Sequence, residues 1–527
     1  MQLFFLGYVL LLVPTLSLIA QNIPVGAIAA GIGVSCGLLV VIFALSSFMT
    51  TKGIRVFYSS LLALSLIPGA VLLGYLLFAG VMLSKSGITV LFETNVDESK
   101  EFISSYFNPW VTLGIALYIF CPAVMIFRMK HIAFHRVKEH KHTFVACVAI
   151  LCLFFAVEPV AQRIYFVDFY RIYADYAVRT KLEDRAIRNR LKQPFDVHVD
   201  EHLSPQTLLL VIGESLSRNH MSLYGYGRDT NPLLSARKSD LKVYRDAISP
   251  QVHTIPVLRS VLTFADRAHP EYLTERPSLF ELFNRGGYET YLLSNQPFDD
   301  VSSSYEVLLK QAGHIYDLSK TDEPDGVVLR TLEQTLKASH RRKLIVVHLM
   351  GSHTAYKFRY PAAFAHFSRD EAKPSGVEEM IDQYDNSVRY NDFLIASMLD
   401  MLAGQPGQSA MLYFSDHGEE VYDFRDFAGH ACEKVSRYMC EVPFIVWLPG
   451  DYRKKRKDLI FDENRPCSTA DLLYGLSDLA KLSYEGYDCT RSLFSPQFTV
   501  RERFVGEMTY EDVLQNTLKY GSKNKLP

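Results

Sequence analysis

Two apolar runs in this chain stop abruptly on residues that can hold a metal. TLLLVIGES ends at Glu214, and AMLYFSDHGEE ends at Asp416 and His417. Two carboxylates and an imidazole offer the hard oxygen and borderline nitrogen donors that suit zinc. Thr254 lies between these runs, in AISPQVHTIPVLRSVLTF, where a Ser/Pro-rich turn leads into an apolar helical stretch. A hydroxyl at a helix N-terminus has unpaired backbone N–H groups and a favourable dipole beside it, both suited to a phosphate. It becomes a nucleophile only when a base or a metal activates it. Zinc held by Glu214, Asp416 and His417, with Thr254 as a further ligand, would do so. An N-cap is the competing role for Thr254, and Ser249 is the alternative nucleophile. Two more histidines belong with this set. His353 follows the run KLIVVHLM and the pair Gly351-Ser352, and His430 sits in FAGHACEK, on the loop after Asp416. His348, inside the apolar run, reads as a core residue.

These residues need a scaffold that aims strand ends at one edge. From about residue 205 the pattern alternates strand-like runs (TLLLVIG, YETYLLS, KLIVVHLM, AMLYFSD, VPFIVWLP) with helical stretches such as PSLFELFNRGG and VEEMIDQYDNSVRYNDFLIASMLDML. Such alternation predicts an α/β domain, a mostly parallel sheet sandwiched by helices. In such sheets ligands bind beyond the carboxyl ends of the strands. GYGRDTNP and SRDEAKPSG read as turn-rich loops.

The 527 residues carry a net charge of −2, so no overall polarity points to nucleic acid. The apolar residues are concentrated in the first third. Five membrane spans are predicted, at 3–20, 24–49, 57–83, 110–127 and 143–160, each near the roughly 20 residues that cross a bilayer. A proline inside the third is tolerated as a kink. The loops holding Lys52 and Arg55, and Arg128, Lys130, Arg136, Lys138 and Lys141, are basic. The loop holding Glu93, Asp97, Glu98 and Glu101 is acidic. The basic loops are therefore expected in the cytoplasm, and everything after the fifth span outside it. The expected domains are a transmembrane domain over 1–160, an interfacial amphipathic helix and linker over 161–204, and an exported catalytic domain over 205–527. Cys432, Cys440, Cys467 and Cys489 fall in the exported part. Pairs Cys432–Cys440 and Cys467–Cys489 suit an oxidising compartment, with free buried thiols as the alternative.

The motifs GESLSRNHMSLYGYGRDTNP, HLMGSHTAYKFRYP, YDNSVRYNDFLIASML, YFSDHGEEVYD and GYDCTRSLFSPQF, in this order, resemble the bacterial phosphoethanolamine transferases of lipopolysaccharide. The branch that modifies the core heptose is the most similar, and the family lies within the alkaline phosphatase–sulfatase superfamily. The resemblance implies an exported catalytic domain on a five-span inner-membrane domain. It implies phosphatidylethanolamine as donor and a lipopolysaccharide sugar as acceptor. It also implies one tightly bound zinc on Glu214, Asp416, His417 and the nucleophile Thr254, with a second zinc during turnover. Substrate contacts are implied for His353, His430 and Asn295, and for Asn95 and Glu98 in the loop between the third and fourth spans. The chain departs from the lipid A-modifying branch in two places. It has no cysteine between Cys152 and Cys432, and Asp299 and Asp300 follow Ser294-Asn295-Gln296 where that branch carries a lysine. Lipid A or another envelope glycan is thus the alternative acceptor. A glycerol-phosphate transferase is the rival enzyme, and a membrane sensor with an inactive phosphatase-like domain the rival outside catalysis. The expected molecule is a monomer.

Overall fold

The run Thr207–Gly213 forms the central strand, β1, and every residue in it is buried. Leu208, Leu210 and Ile212 enter the apolar cluster on one face of the sheet, and Leu209 and Val211 enter the cluster on the other. This is period-two alternation with both faces covered, the reason the sequence reads as a continuous apolar run. The computed structural model describes residues 1–17, 24–94, 100, 108–129, 137, 139–298, 304–321, 323–339, 342–368 and 376–521.

Six further strands complete the sheet: β2 Leu241–Val243, β3 Glu289–Ser294, β4 His314–Asp317, β5 Lys343–His348, β6 Ser409–Ser415 and β7 Phe444–Trp447. Their spatial order is β2-β7-β6-β1-β5-β3-β4. β6, β1, β5, β3 and β4 pair in parallel, while β7 runs antiparallel to both β6 and β2. The expected mostly parallel α/β sheet is therefore present, with an antiparallel edge. The helices Thr254–Val261 and Leu472–Ala480 cover one face through Val257, Leu258, Val261, Leu473 and Leu476. Gly326–Lys337 and Gly376–Ala403 cover the other through Leu332, Leu394, Met398 and Leu402. Each such aliphatic side chain contributes roughly 1.5–3 kcal/mol when fully buried.

The register decides what this sheet can do. Gly213 is paired with Ser415 on the neighbouring parallel strand, so the next residues, Glu214 and Asp416, emerge side by side. On the other side of β1, Ile212 is paired with His348, the last residue of β5.

The chain divides into two compact units with the boundary between Val178 and Arg179, inside the helix Tyr165–Arg190. The first unit is helical. Three of its helices are long and apolar enough to cross a membrane: Val25–Ser46, Thr51–Ala79 and Pro109–Arg128. They match the expected second, third and fourth spans. The expected first and fifth are shorter apolar helices, Gln2–Leu16 and Lys141–Ala156. The last breaks at Val157, two residues before Pro159, which starts a separate turn at Glu158–Ala161. Pro68 lies inside the Thr51–Ala79 helix, as a proline in a membrane segment can.

Cys432, Cys440, Cys467 and Cys489 are free thiols, so neither expected disulfide is formed. Cys440 is buried at the end of a helical turn with its sulfur over Ser436 O, and Cys467 packs into the core beneath the sheet. Cys489 instead donates to Gln497 Oε1 at 2.6 Å.

Candidate active site

Glu214 leaves β1 fully buried and is held from three directions. Ser215 Oγ donates to its Oε1 at 2.7 Å, and Gln296 Nε2 donates to its Oε2 at 2.9 Å. Thr254 Oγ1 donates to the same Oε2 at 3.0 Å. Ser215 adopts a positive φ of 54°, a strained conformation for a residue with a side chain. That turn brings its N–H to Asp416 Oδ1 at 3.1 Å.

His417 and Asp416 complete the cluster. His417 Nε2 lies 3.3 Å from Glu214 Oε1 and 3.4 Å from both Asp416 Oδ2 and Thr254 Oγ1. Its Nδ1 faces Gly418 O at 2.9 Å, and because a carbonyl only accepts, Nδ1 carries a proton and Nε2 is the nitrogen turned to the carboxylates. Asp416 Oδ1 accepts two backbone N–H groups, but the buried Oδ2 has no hydrogen-bond partner. An orphaned buried carboxylate oxygen beside an imidazole nitrogen and a second carboxylate is what a cation would satisfy, in place of the His417 Nε2 proton. Glu214, Asp416 and His417 can present donor atoms within 4.8 Å of one another.

The electrostatics agree. Burial works against Glu214 ionising, but His417 overcomes it and holds that carboxyl well below its usual range. Burial and the neighbouring Glu214 push Asp416 well above its own. Two carboxylates this close cannot both ionise in a buried site without a cation between them.

Thr254 is the first residue of its helix, and the cap position belongs to His253, whose side chain makes no cap hydrogen bond. The N-cap role is thereby excluded, and the hydroxyl is turned to the carboxylate. Ser249, the alternative nucleophile, turns its hydroxyl away from the cluster's carboxylates and donates to Gln251 O at 2.7 Å.

The histidines surround this cluster. The His430 ring centroid lies 4.3 Å from that of His417 and 4.8 Å from that of His253. Burial lowers His430 to about 3 and His353 to about 4, so both are neutral near pH 7. His430 Nδ1 meets Glu419 Oε2 at 2.6 Å, and Tyr356 donates to Glu419 Oε1 at 2.7 Å. Burial raises Glu419 to about 7. His417, Glu419 and His430 form a second group with metal-ligand spacing.

The sequence reading missed Gln296, Ser215, Glu419 and His253. The first Glu of DHGEE was a usable signal for Glu419, since it follows Asp416-His417 on the same strand end. Gln296 carries none, because its role depends on β3 lying two strands from β1. Asn295 has partners other than those expected: its Nδ2 donates to Asp325 Oδ1 at 2.9 Å. Asp325 in turn accepts the N–H groups of Met350 and Gly351 at 2.9 and 2.8 Å. Gly351 (φ 56°) packs so tightly on the first strand end that a Cβ there would sit 2.6 Å from Glu214 O. His348 is buried at the end of β5, 3.4 Å from Tyr305 Oη. Asn95 and Glu98 lie outside the described residues.

Comparison with known proteins fits this site. Residues 206–482 match the Sulfatase family. The phosphoethanolamine transferase EptC of Escherichia coli O18:K1:H7 is 32% identical over 490 residues, covering 85% of this chain and 84% of that protein. The phosphoethanolamine transferase CptA of Salmonella typhimurium is 30% identical, covering 92% and 94%. The crystal structure of the C-terminal periplasmic domain of E. coli EptC in complex with Zn matches with a TM-score of 0.58 at 32% identity, covering 62% of this chain and 99% of that one. The integral membrane protein EptA of Neisseria meningitidis shares the fold along 94% of this chain, with a TM-score of 0.65 at 19% identity. A Sulfatase-type α/β domain with a buried Glu214-Asp416-His417 cluster beside Thr254, joined to apolar helices and similar to these transferases over most of its length, places the chain in the phosphoethanolamine transferase family.

Proposed function

We propose that this protein transfers phosphoethanolamine from phosphatidylethanolamine to a lipopolysaccharide sugar, a core heptose in particular, through a covalent intermediate on Thr254. The observation that carries the reading is the Thr254 hydroxyl, 3.0 Å from Glu214 Oε2 and 3.4 Å from His417 Nε2 at a helix N-terminus. Glu214, Asp416, His417 and Thr254 would hold zinc, which when bound stabilises the threonine alkoxide and the charge on the phosphoryl oxygens.

In the first step Thr254, its hydroxyl proton already released to water so that it reacts as the alkoxide, bonds through Oγ1 to phosphorus, the phosphorus–oxygen bond to diacylglycerol breaks, and the leaving oxygen needs a proton. His430 supplies it from Nε2 while Nδ1 takes the Glu419 proton across their 2.6 Å contact. A Glu419 carboxyl raised to about 7 is protonated often enough at neutral pH to start this relay. In the second step the acceptor hydroxyl attacks phosphorus, its proton passes to His430 Nε2, Nδ1 returns a proton to Glu419, and Thr254 departs as the alkoxide. His353, half-buried near Glu214 and neutral, offers a further acceptor. The second group, His417, Glu419 and His430, has the spacing for a second zinc during turnover, which would displace the Glu419 proton and stand in for this relay.

The apolar helices support an inner-membrane location with five spans, the first and last being the short ones, and a periplasmic catalytic unit that acts as a monomer. A lipid donor gives such helices a physical purpose, since it does not diffuse freely through water. Incubation of the full chain with donor lipid, followed by intact-mass spectrometry, tests the reading. It should show one phosphoethanolamine adduct that maps to Thr254, and an adduct that persists in Thr254→Ala would refute it. Mass analysis of lipopolysaccharide from cells with and without the protein tests the acceptor.

A further inference from the structure

Away from the metal cluster, a cavity of about 670 Å³ opens at the antiparallel edge of the sheet. Glu214, Thr254, Asp416 and His417 do not line it. Its walls are the 218–227 loop, the edge strand β2 and the residues Lys238, Arg245, Arg437 and Glu463. The volume falls within the roughly 300–1,000 Å³ of small-molecule sites.

The charges in this cavity are lopsided. Arg218, Lys238, Arg245 and Arg437 line it with Glu463 as the one acid. That acid is already engaged, since Lys242 Nζ lies 3.5 Å from Glu463 Oε1. Arg218 and Arg437 are anchored on Glu441, at 3.3 and 3.0 Å. The same carboxylate also accepts from Asn219 Nδ2 at 2.9 Å and from Tyr510 Oη at 2.5 Å. Glu441 therefore fixes two guanidinium groups in place. Lys238 and Arg245 are exposed and have no ionic partner among the described residues. Two anchored and two unpaired cations around one hollow suit a phosphate group.

The rest of the lining suits a sugar. The Tyr224 hydroxyl accepts Phe444 N–H at 3.0 Å, which fixes its ring in the wall as a flat apolar surface. Ser222, Asn219 and Tyr226 supply polar groups. Gly225, at a φ of 104° that favours glycine, leaves the rim open.

We propose that this cavity binds a phosphorylated sugar. Its wall belongs to the loop that begins at Glu214, and that loop is pinned near its start: Tyr384 Oη donates to Ser215 O at 2.8 Å and accepts Ser217 N–H at 2.9 Å. Arg218 also reaches Ala247 O, at 3.0 Å, on the segment that runs on to Thr254. An occupant is thus held by the same loop and segment that carry the metal ligand and the hydroxyl. Assigning it as a phosphorylated sugar of the acceptor rests on the transferase reading above; the binding itself does not.

Isothermal titration calorimetry on the full chain in detergent tests the site with glucose 6-phosphate, glucose and inorganic phosphate. Glucose 6-phosphate should saturate, inorganic phosphate should bind more weakly, and glucose should show no binding at millimolar concentration. Lys238→Ala/Arg245→Ala should weaken glucose 6-phosphate binding at least about tenfold, the loss of two charge-assisted contacts. Stripping zinc with a chelator should leave binding unchanged. No saturation, or equal binding by the double variant, overturns the proposal. Loss on stripping overturns it too, by assigning the binding to the metal cluster. Inorganic phosphate binding as tightly as glucose 6-phosphate overturns the sugar half and makes this a free-phosphate site. The Thr254 adduct, measured on the same double variant, should form at the parent level, so failure of the transferase reading and failure of this one give different results.

Discussion

Thr254 and Glu214 share a hydrogen bond of 3.0 Å between the first residue of a helix and the first residue past a strand. The hydroxyl is aimed at a buried carboxylate, inside a cluster that also contains Asp416 and His417, so its fate is tied to that cluster's charge. Thr254→Ala should abolish the phosphoethanolamine adduct. Thr254→Ser, which keeps the oxygen but adds rotamer freedom, should form it at a rate reduced about tenfold or more. Intact-mass time courses check both.

Asp416→Asn should have opposite effects with and without zinc. Without metal, burial and Glu214 force Asp416 to take up a proton on folding, and an amide that needs none should stabilise the protein by on the order of 1 kcal/mol. With zinc the variant loses a ligand and should melt below the parent. Metal content and thermal melts, before and after chelation, read both signs.

Gln296 touches the cluster only through Glu214 Oε2 and Leu349 O, at 2.9 and 2.8 Å. It orients Glu214, a zinc ligand in the proposed reading, and would not itself react. Gln296→Ala should cost roughly 10–100-fold in zinc affinity or turnover, the usual range for residues behind a ligand. Gln296→Glu should be worse, because it adds a third carboxylate. Competition with a fluorescent chelator measures the affinity.

Gly351→Ala places a methyl 2.6 Å from Glu214 O at a φ of 56°. The left-handed backbone alone costs roughly 1–2 kcal/mol, and the clash falls on backbone that cannot swing aside. The variant should melt lower and lose zinc affinity together, whereas Gly376→Ala, where a Cβ meets nothing within 4 Å, should do neither.

His220 links stability to pH. Burial disfavours its charge, but Asp423 and Asp385, 3.1 and 2.7 Å away, raise it from 6.5 to about 9. The folded state therefore holds a proton that the unfolded chain gives up. The stabilisation, on the order of 3 kcal/mol, is fully present below pH 6.5 and lost as pH rises through 9. His220→Gln should flatten the stability profile between these values, measured by denaturant unfolding across pH.

The sequence by itself determined the local chemistry. Apolar runs that end on Glu214 and on Asp416-His417 were legible because a strand buried on both faces shows no alternation in hydrophobicity, and a charge at its end marks where burial of the apolar run stops. The apolar helices were legible in type. Their lengths were less so, because the break beside Pro159 depends on a local backbone choice rather than on composition.

Tertiary structure decided what strand pairing and packing alone can bring together. The pairing of Gly213 with Ser415 sets Glu214 beside Asp416, and no periodicity along one strand encodes its neighbour's register. Gln296 reaches Glu214 from a strand two places away, while Asn295 turns instead to Asp325. Thr254 escapes the N-cap role only because a carboxylate from another strand lies within reach. The cations of the edge cavity come from separate segments and share no motif. Short-range sequence fixes which groups are present and which surfaces must be buried; the distances between distant segments, and hence the chemistry, are set by long-range packing.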